Sequence, residues 1–357
     1  MSKKIIGNLI HLKQQDRIGW IGLGEMGYNM ANNLQRYLTS RSLTMTVWNR
    51  TPAKAAKMHH HGARVAKSLE DLVAQSNIIF TSLKNDEAVE EIYEILIDLA
   101  GQVDHSIIFV ETSTIYPTLA TKLKERLAVT PQHTYLQCPV FGRPSMAKAA
   151  KLIWVTSGDE KAIKKLCLYF TTMSRSIIHL KTTDVARACS FKLIGNFFVV
   201  GTMELLAEGL TLAEKAEVDQ ESVLKFIEAF FPAPMWTECS KRMTQSSRVL
   251  SKDLGFSVEL GLKDVGHMRQ LAQETGASLP TADLAYNHLT QVKEQGKGAY
   301  DWSTMISALR ISPAPSRRTS EESRTPQRIG DEDHDDAEDD QADIGLKKNF
   351  SPPAYDA

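Results

Sequence analysis

The chain has 357 residues, with 42 Lys and Arg against 43 Asp and Glu, a formal net charge of −1. So even a balance lacks the basic footprint of a nucleic-acid binder, and the length exceeds what one hydrophobic core usually serves, so two domains acting on a small molecule are expected. No apolar run reads as membrane-spanning, and four scattered cysteines (Cys138, Cys167, Cys189, Cys239) point to reduced thiols in a cytoplasmic setting, not to a disulfide framework or a zinc site.

Residues 1–16 read as an N-terminal extension with a short apolar patch and no signal-peptide pattern; a mitochondrial leader is the alternative. A β-type run from Arg17 then enters Gly22-Leu23-Gly24-Glu25-Met26-Gly27. Gly22 permits a tight strand-to-helix turn, Gly24 lets backbone N–H groups approach a pyrophosphate, and Gly27 brings the next helix close to the strand. Helical spacing follows (Met26, Met30, Leu34, Leu38), and a second strand at 43–48 completes the context a dinucleotide site requires.

That second strand ends in Asn49-Arg50-Thr51-Pro52, beside the expected adenosine ribose. An acidic residue there would take the 2′-hydroxyl of NAD, whereas a guanidinium and a hydroxyl suit a 2′-phosphate, so NADP(H) is expected. The alternative makes Arg50 an ordinary exposed arginine; Pro52 is a first-turn helix residue on either reading. His59-His60-His61 looks like a metal tract, but successive helical residues face different ways, so an exposed helix end before Gly62 is expected and no metal.

From Thr51 to His179 helix-like and strand-like stretches alternate, predicting an α/β fold with a Rossmann-type doubly wound sheet over residues 17–182. Further strands are expected at 77–83, 106–111, 134–138, 152–156 and 176–179. Ligands bind at the carboxyl ends of such strands, which makes Ser82 and Leu83, Ser113 and Thr114, and Phe141-Gly142-Arg143 candidate contacts.

After Thr183 the pattern turns wholly helical, predicting an all-α domain over residues 183–310 begun by a long interdomain helix from Ala186 to Lys215. Lys192 and Asn196 lie four apart and share a face among apolar neighbours. A lysine so placed either serves acid/base chemistry with a depressed pKa or snorkels from a core helix. Near Pro232-Ala233-Pro234, Phe230, Phe231 and Trp236 either line a pocket or pack a helix break. Residues 311–357 hold 6 Lys and Arg against 12 Asp and Glu with few large apolar residues, so an acidic disordered tail is expected. Arg317 to Ser320 and Thr325-Pro326 are candidate phosphorylation sites, with a plain solvated tail as the alternative.

Taken in order, these blocks resemble the β-hydroxyacid dehydrogenase family, which includes 3-hydroxyisobutyrate dehydrogenases and glyoxylate reductases and is related to 6-phosphogluconate dehydrogenase and imine reductases. The resemblance spans about residues 17 to 309. It is carried by the glycine turn with Met30, Ala31, Asn33 and Leu34, by Ser113-Thr114 before Pro117, by Pro139-Val140 with Gly142 and Leu152, by Lys192 with Asn196, and by Lys263-Asp264 followed by Leu279-Pro280, Gly298, Asp301 and Trp302. It implies that Lys192 exchanges a proton with the substrate oxygen as hydride moves, and that Asn196 holds substrate beside it. It further implies that Ser113 and Thr114 lie against the nicotinamide ribose and that Lys263 reaches the cofactor across a domain cleft.

The chain departs from the family where Ser-Gly-Gly commonly follows Pro-Val: here stand Phe141, Gly142 and Arg143, so a hydroxyl is lost and bulk and a cation are added. Ala186, Ala188 and Ala150 stand where glycine is usual. Carbonyl reduction, or oxidation of the matching hydroxy acid, is expected, with imine reduction and a non-catalytic NADPH-binding interaction protein as alternatives. The retained Lys192 favours carbonyl chemistry. A homodimer is expected from the apolar surface of the long helix.

Overall fold

The computed structural model describes residues 16–245 and 255–311. The N-terminal extension up to residue 15 and the acidic tail from residue 312 onward, with its candidate phosphorylation sites, lie outside the described residues.

Four central strands, β1 (Ile18–Ile21), β4 (Ile78–Thr81), β5 (Ile108–Glu111) and β6 (Thr134–Gln137), run parallel. Strands β2 (Thr46–Trp48) and β3 (Arg64–Val65) extend the sheet beyond β1, so β1 lies between β2 and β4 at the point where the winding reverses. The loops after β1, β4 and β5 therefore open into one crevice, as a doubly wound sheet dictates.

Past β6 the sheet stops being purely parallel: β8 (Leu152–Gly158) pairs antiparallel with β6 and with the short β7 (Val140–Phe141), and parallel with β9 (Ser174–His179). The expected strands are present, most of them shorter, with β8 and β9 longer. Strands β3 and β7 were not predicted, because two residues are too few to show a period of two.

Both faces of the central strands are buried, so the strands read as continuous apolar runs. On one face Trp20 stacks on Phe80 with ring centroids 5.2 Å apart, and Phe80 meets Trp154 and Phe170 edge-on. On the other, Ile21, Ile79 and Phe109 pack against helices α4 (Asp86–Ala100) and α5 (Pro117–Ala128).

Helix α8 (Ala186–Lys215) has the bounds its apolar pattern suggests, and the helical domain packs around it. By length and composition this helix is long and apolar enough to cross a membrane, which corrects the expectation that no run qualifies. Its small residues and scattered charges had masked that. One face, with Leu193, Val200, Met203, Ala207 and Leu210, is buried in the helical core formed with α11 (Val258–Thr275) and α12 (Pro280–Val292). The sheet and this helical core belong to one compact unit.

Candidate active site

Glycine geometry follows from the strand-to-helix turn. Gly22 has φ +92, and a β-carbon on it would lie 2.1 Å from the carbonyl oxygen of Ser82. On Gly27 a β-carbon would lie 2.2 Å from the Gly22 oxygen, so helix α1 (Glu25–Thr39) touches the turn backbone to backbone. Around Gly24 there is open space within 4 Å, and this residue caps α1 without any side-chain hydrogen bond. The start of the helix thus presents amide N–H groups and a positive dipole end to an open approach, which fits a pyrophosphate. Glu25 is exposed, Leu23 buried, and Met26 packs against the core.

The neighbouring loops are tied to this turn by side chains. Asn49 accepts a hydrogen bond from the Leu23 amide at 2.8 Å through Oδ1, and its amide group donates to the Thr51 carbonyl at 3.0 Å. Asn49 therefore shapes the turn. Arg50 points into solvent, and its exposed guanidinium is 3.5 Å from Glu91, a weak surface pair. Thr51 caps α2 (Pro52–His59) with Pro52 in its first turn, and the histidine tract ends that helix, with His61 bonded to the Tyr28 hydroxyl at 3.0 Å. Across the crevice Ser113 accepts from the Leu83 amide at 2.7 Å, joining the loops after β4 and β5, and Ser82 bonds through its amide to the Ile21 carbonyl at 2.9 Å.

Below these loops lies a polar network on α8 and α11. Lys192 Nζ donates to Asn196 Oδ1 at 2.9 Å, and Asn196 Nδ2 donates to Asp264 Oδ2 at 2.6 Å. Asp264 is fully buried, and its other oxygen is 2.9 Å from Lys263 Nζ. Lys263 in turn donates to the carbonyl of Thr114 at 2.5 Å, bridging the helical domain to the loop after β5. Two lysines thus share one carboxylate, with Asn196 relaying it to Lys192. Lys192 is only 8% exposed, and burial pushes its ammonium down to about 8; the Asp264 carboxylate opposes that shift and the Lys263 charge adds to it.

Phe141 forms the wall beside the lysine. Lys192 Nζ sits 4.2 Å from the centre of its ring, within cation–π range, and Phe191 meets the same ring edge-on. The ring occupies a notch at Gly195, where a β-carbon would come within 2.3 Å of Cζ. The glycine on α8 therefore seats the residue that replaces the family's serine.

Arg143 forms an ion pair with the buried Asp301, which also lies 3.8 Å from Arg242. Asp301 further caps the turn at Ser303, so Arg143 clamps the sheet domain to the helical domain. Gly142 is exposed with φ +137, and Ala150 takes φ +55, a left-handed conformation that explains why glycine is usual there.

Asp264 and Asp301 were quoted as family landmarks without a role; their partners lie 68 and 158 residues away in sequence. Only the Lys263-Asp264 adjacency signalled either.

An open helix start at the switch point of a parallel sheet, facing a buried lysine network on an adjoining helical domain, defines a dinucleotide-dependent oxidoreductase. Residues 17–182 match the model for the NAD binding domain of 6-phosphogluconate dehydrogenase, and residues 187–309 match the model for the NAD-binding domain of NADP-dependent 3-hydroxyisobutyrate dehydrogenase. The chain belongs to the β-hydroxyacid dehydrogenase family. It is 29% identical over 291 residues to the NADH-dependent oxidoreductase ucdB of Aspergillus ustus, covering 80% of this chain and 96% of that one. Over 316 residues it is 29% identical to the probable 3-hydroxyisobutyrate dehydrogenase-like 1 of Arabidopsis thaliana, covering 87% and 90%. The 3-hydroxyisobutyrate dehydrogenase of Mycobacterium tuberculosis shares its fold, with a TM-score of 0.71 at 24% identity over 83% of this chain and 99% of that one.

Proposed function

We propose that the protein is an NADP(H)-dependent reductase of an aldehyde or of a 2-oxo or 3-oxo acid, or in reverse a dehydrogenase of the hydroxy acid, with Lys192 as proton donor or acceptor. The observation that carries this reading is the buried chain Lys192–Asn196–Asp264, which holds one ammonium in a fixed direction at the foot of the crevice. The nicotinamide supplies the hydride; the chain's own residues supply orientation and one proton. Asn196 orients Lys192, Phe141 covers one side of it, and Ser113, Thr114 and Lys263 border the place where a nicotinamide ribose fits.

Arg50 and Thr51, with no acidic residue at the end of β2, support NADP(H) over NAD(H). The NADH dependence stated in the name of the Aspergillus relative makes this choice one to measure. The decisive assay follows the reduced-nicotinamide absorbance with NADPH and with NADH against a panel of aldehydes, oxo acids and cyclic imines. Turnover of a carbonyl with NADPH preferred, and an Arg50→Asp variant that loses this preference by about 10-fold, is the expected result. Turnover of cyclic imines alone would replace the carbonyl reading, and NADPH binding without turnover of any substrate would leave a cofactor-binding interaction protein.

We further propose a homodimer formed through the outer face of α8. Ile194, Phe198, Leu205 and Leu212 are 52 to 70% exposed and fall along one stripe of that helix. Light scattering after gel filtration should give twice the chain mass, and Phe198→Glu should shift it to the monomer. A monomeric parent chain at micromolar concentration would dismiss the dimer.

A further inference from the structure

Outside the lysine network, and unlike Asp301, one buried acid has no ion pair among the described residues. Glu111 ends β5 directly beneath the crevice and is fully buried. Its Oε2 accepts from the Thr81 hydroxyl at 2.6 Å, and its Oε1 accepts from the Ser113 amide at 2.5 Å. The Ser113 side chain also acts on the carboxyl, favouring its ionised form, while its oxygen accepts from the Leu83 amide at 2.7 Å. The result is a relay running from the Leu83 amide through Ser113 into Glu111. Gln137 braces the same residue from β6 by donating to the Ser113 carbonyl at 3.2 Å, and is itself held by Tyr135.

Among the described residues no lysine, arginine or histidine forms an ion pair with Glu111. The titratable groups that feel the Glu111 charge are Tyr93 from α4, Tyr135 and Cys138 from β6 and its end, and Cys189 from α8. All are buried with their pKa values raised and so are neutral near pH 7, and the carboxyl is held by hydrogen bonds from Thr81, Ser113 and the Thr112 amide. A carboxylate buried without an ion pair is costly, and the bonds donated by Thr81, Ser113 and Thr112 suit an acceptor-only group better than a neutral amide, whose NH2 can only donate.

We propose that Glu111 is a positioning residue for the dinucleotide: its carboxylate sets the direction of the Ser113 hydroxyl bond, and through it the joined shape of the two loops on which the nicotinamide half lies. A carboxylate accepts only, so it forces Ser113 to donate downward and turn its lone pair to Leu83. A protonated carboxyl can itself donate, to the Thr81 or the Ser113 oxygen, and then the relay loses its single direction. Burial raises this carboxyl to about 7, countered by the bonds from Ser113 and Thr81. The carboxylate therefore predominates above neutrality and is lost as pH falls through that value, so cofactor affinity follows the same direction. The proposal rests on the dinucleotide site alone and is independent of substrate and of Lys192.

The test is the dissociation constant of NADPH, read by its fluorescence on the full chain from pH 5.5 to 9, with NADH run in parallel because it lacks the titrating 2′-phosphate. Affinity for both should fall about 5-fold or more on acidification through pH 7. Glu111→Gln should bind about 5-fold more weakly at pH 8.5 and lose the inflection, and Glu111→Asp should recover part of it. Thr81→Val removes one donor to the carboxylate and keeps the Ser113 relay, so it should move the inflection to higher pH. It is also the informative variant if Glu111→Gln does not fold. An inflection unmoved in Thr81→Val, or a Glu111→Gln protein with the parental pH profile, would overturn the proposal.

Discussion

Lys192→Met is expected to lower kcat for carbonyl reduction by about 10²- to 10⁴-fold, the usual worth of a positioned general acid, while changing cofactor affinity little. Methionine keeps the unbranched stem that packs beside Phe141, so the loss isolates the ammonium. The parent enzyme should show a matching pH dependence. Burial has brought Lys192 down to about 8, so reduction, which needs the protonated form, weakens as pH rises through that value. Oxidation needs the neutral amine and strengthens over the same range. Steady-state rates in both directions from pH 6 to 10 check the sign. Full activity in Lys192→Met would remove this lysine from the chemistry and return it to the role of a snorkelling core residue.

The second large effect concerns the turn. Gly22→Ala is expected to destabilise the protein by more than about 2 kcal/mol and to abolish dinucleotide binding. Its left-handed φ alone costs an alanine about 1 kcal/mol, and the new methyl would meet a backbone oxygen at 2.1 Å, which cannot rotate away. Gly24→Ala makes the contrasting control. Nothing lies within 4 Å of its β-carbon, so thermal stability should hold while cofactor affinity drops, because the space filled belongs to the ligand. Thermal melts with and without NADPH distinguish the two. Equal melting temperatures for the parent and Gly22→Ala would show that the turn relaxes.

The glycine turn and the long helix were legible because each is a local pattern: three glycines at fixed spacing, and thirty residues of nearly continuous apolar periodicity interrupted only by small residues. Lys192 and Asn196 were legible for the same reason, since a spacing of four brings side chains together on any helix, and their 2.9 Å bond follows. Strands β3 and β7 were not, being too short to carry a period. The partner of Arg143 was not legible for a different reason: Asp301 approaches from the far end of the helical domain, 158 residues away.

By itself the sequence determined the order of the longer strands and the long interdomain helix, a dinucleotide turn, and one lysine with its asparagine on a helix face, because all of these depend on neighbours within a few residues. The tertiary structure alone decided what surrounds them. It brought Asp264 to Asn196, seated Phe141 in the notch of Gly195, and buried Glu111 under Ser113. Those contacts join residues on different elements, and no local periodicity records which elements will meet. The charge state of Lys192 depends on such contacts as well, since burial and a distant carboxylate set it together.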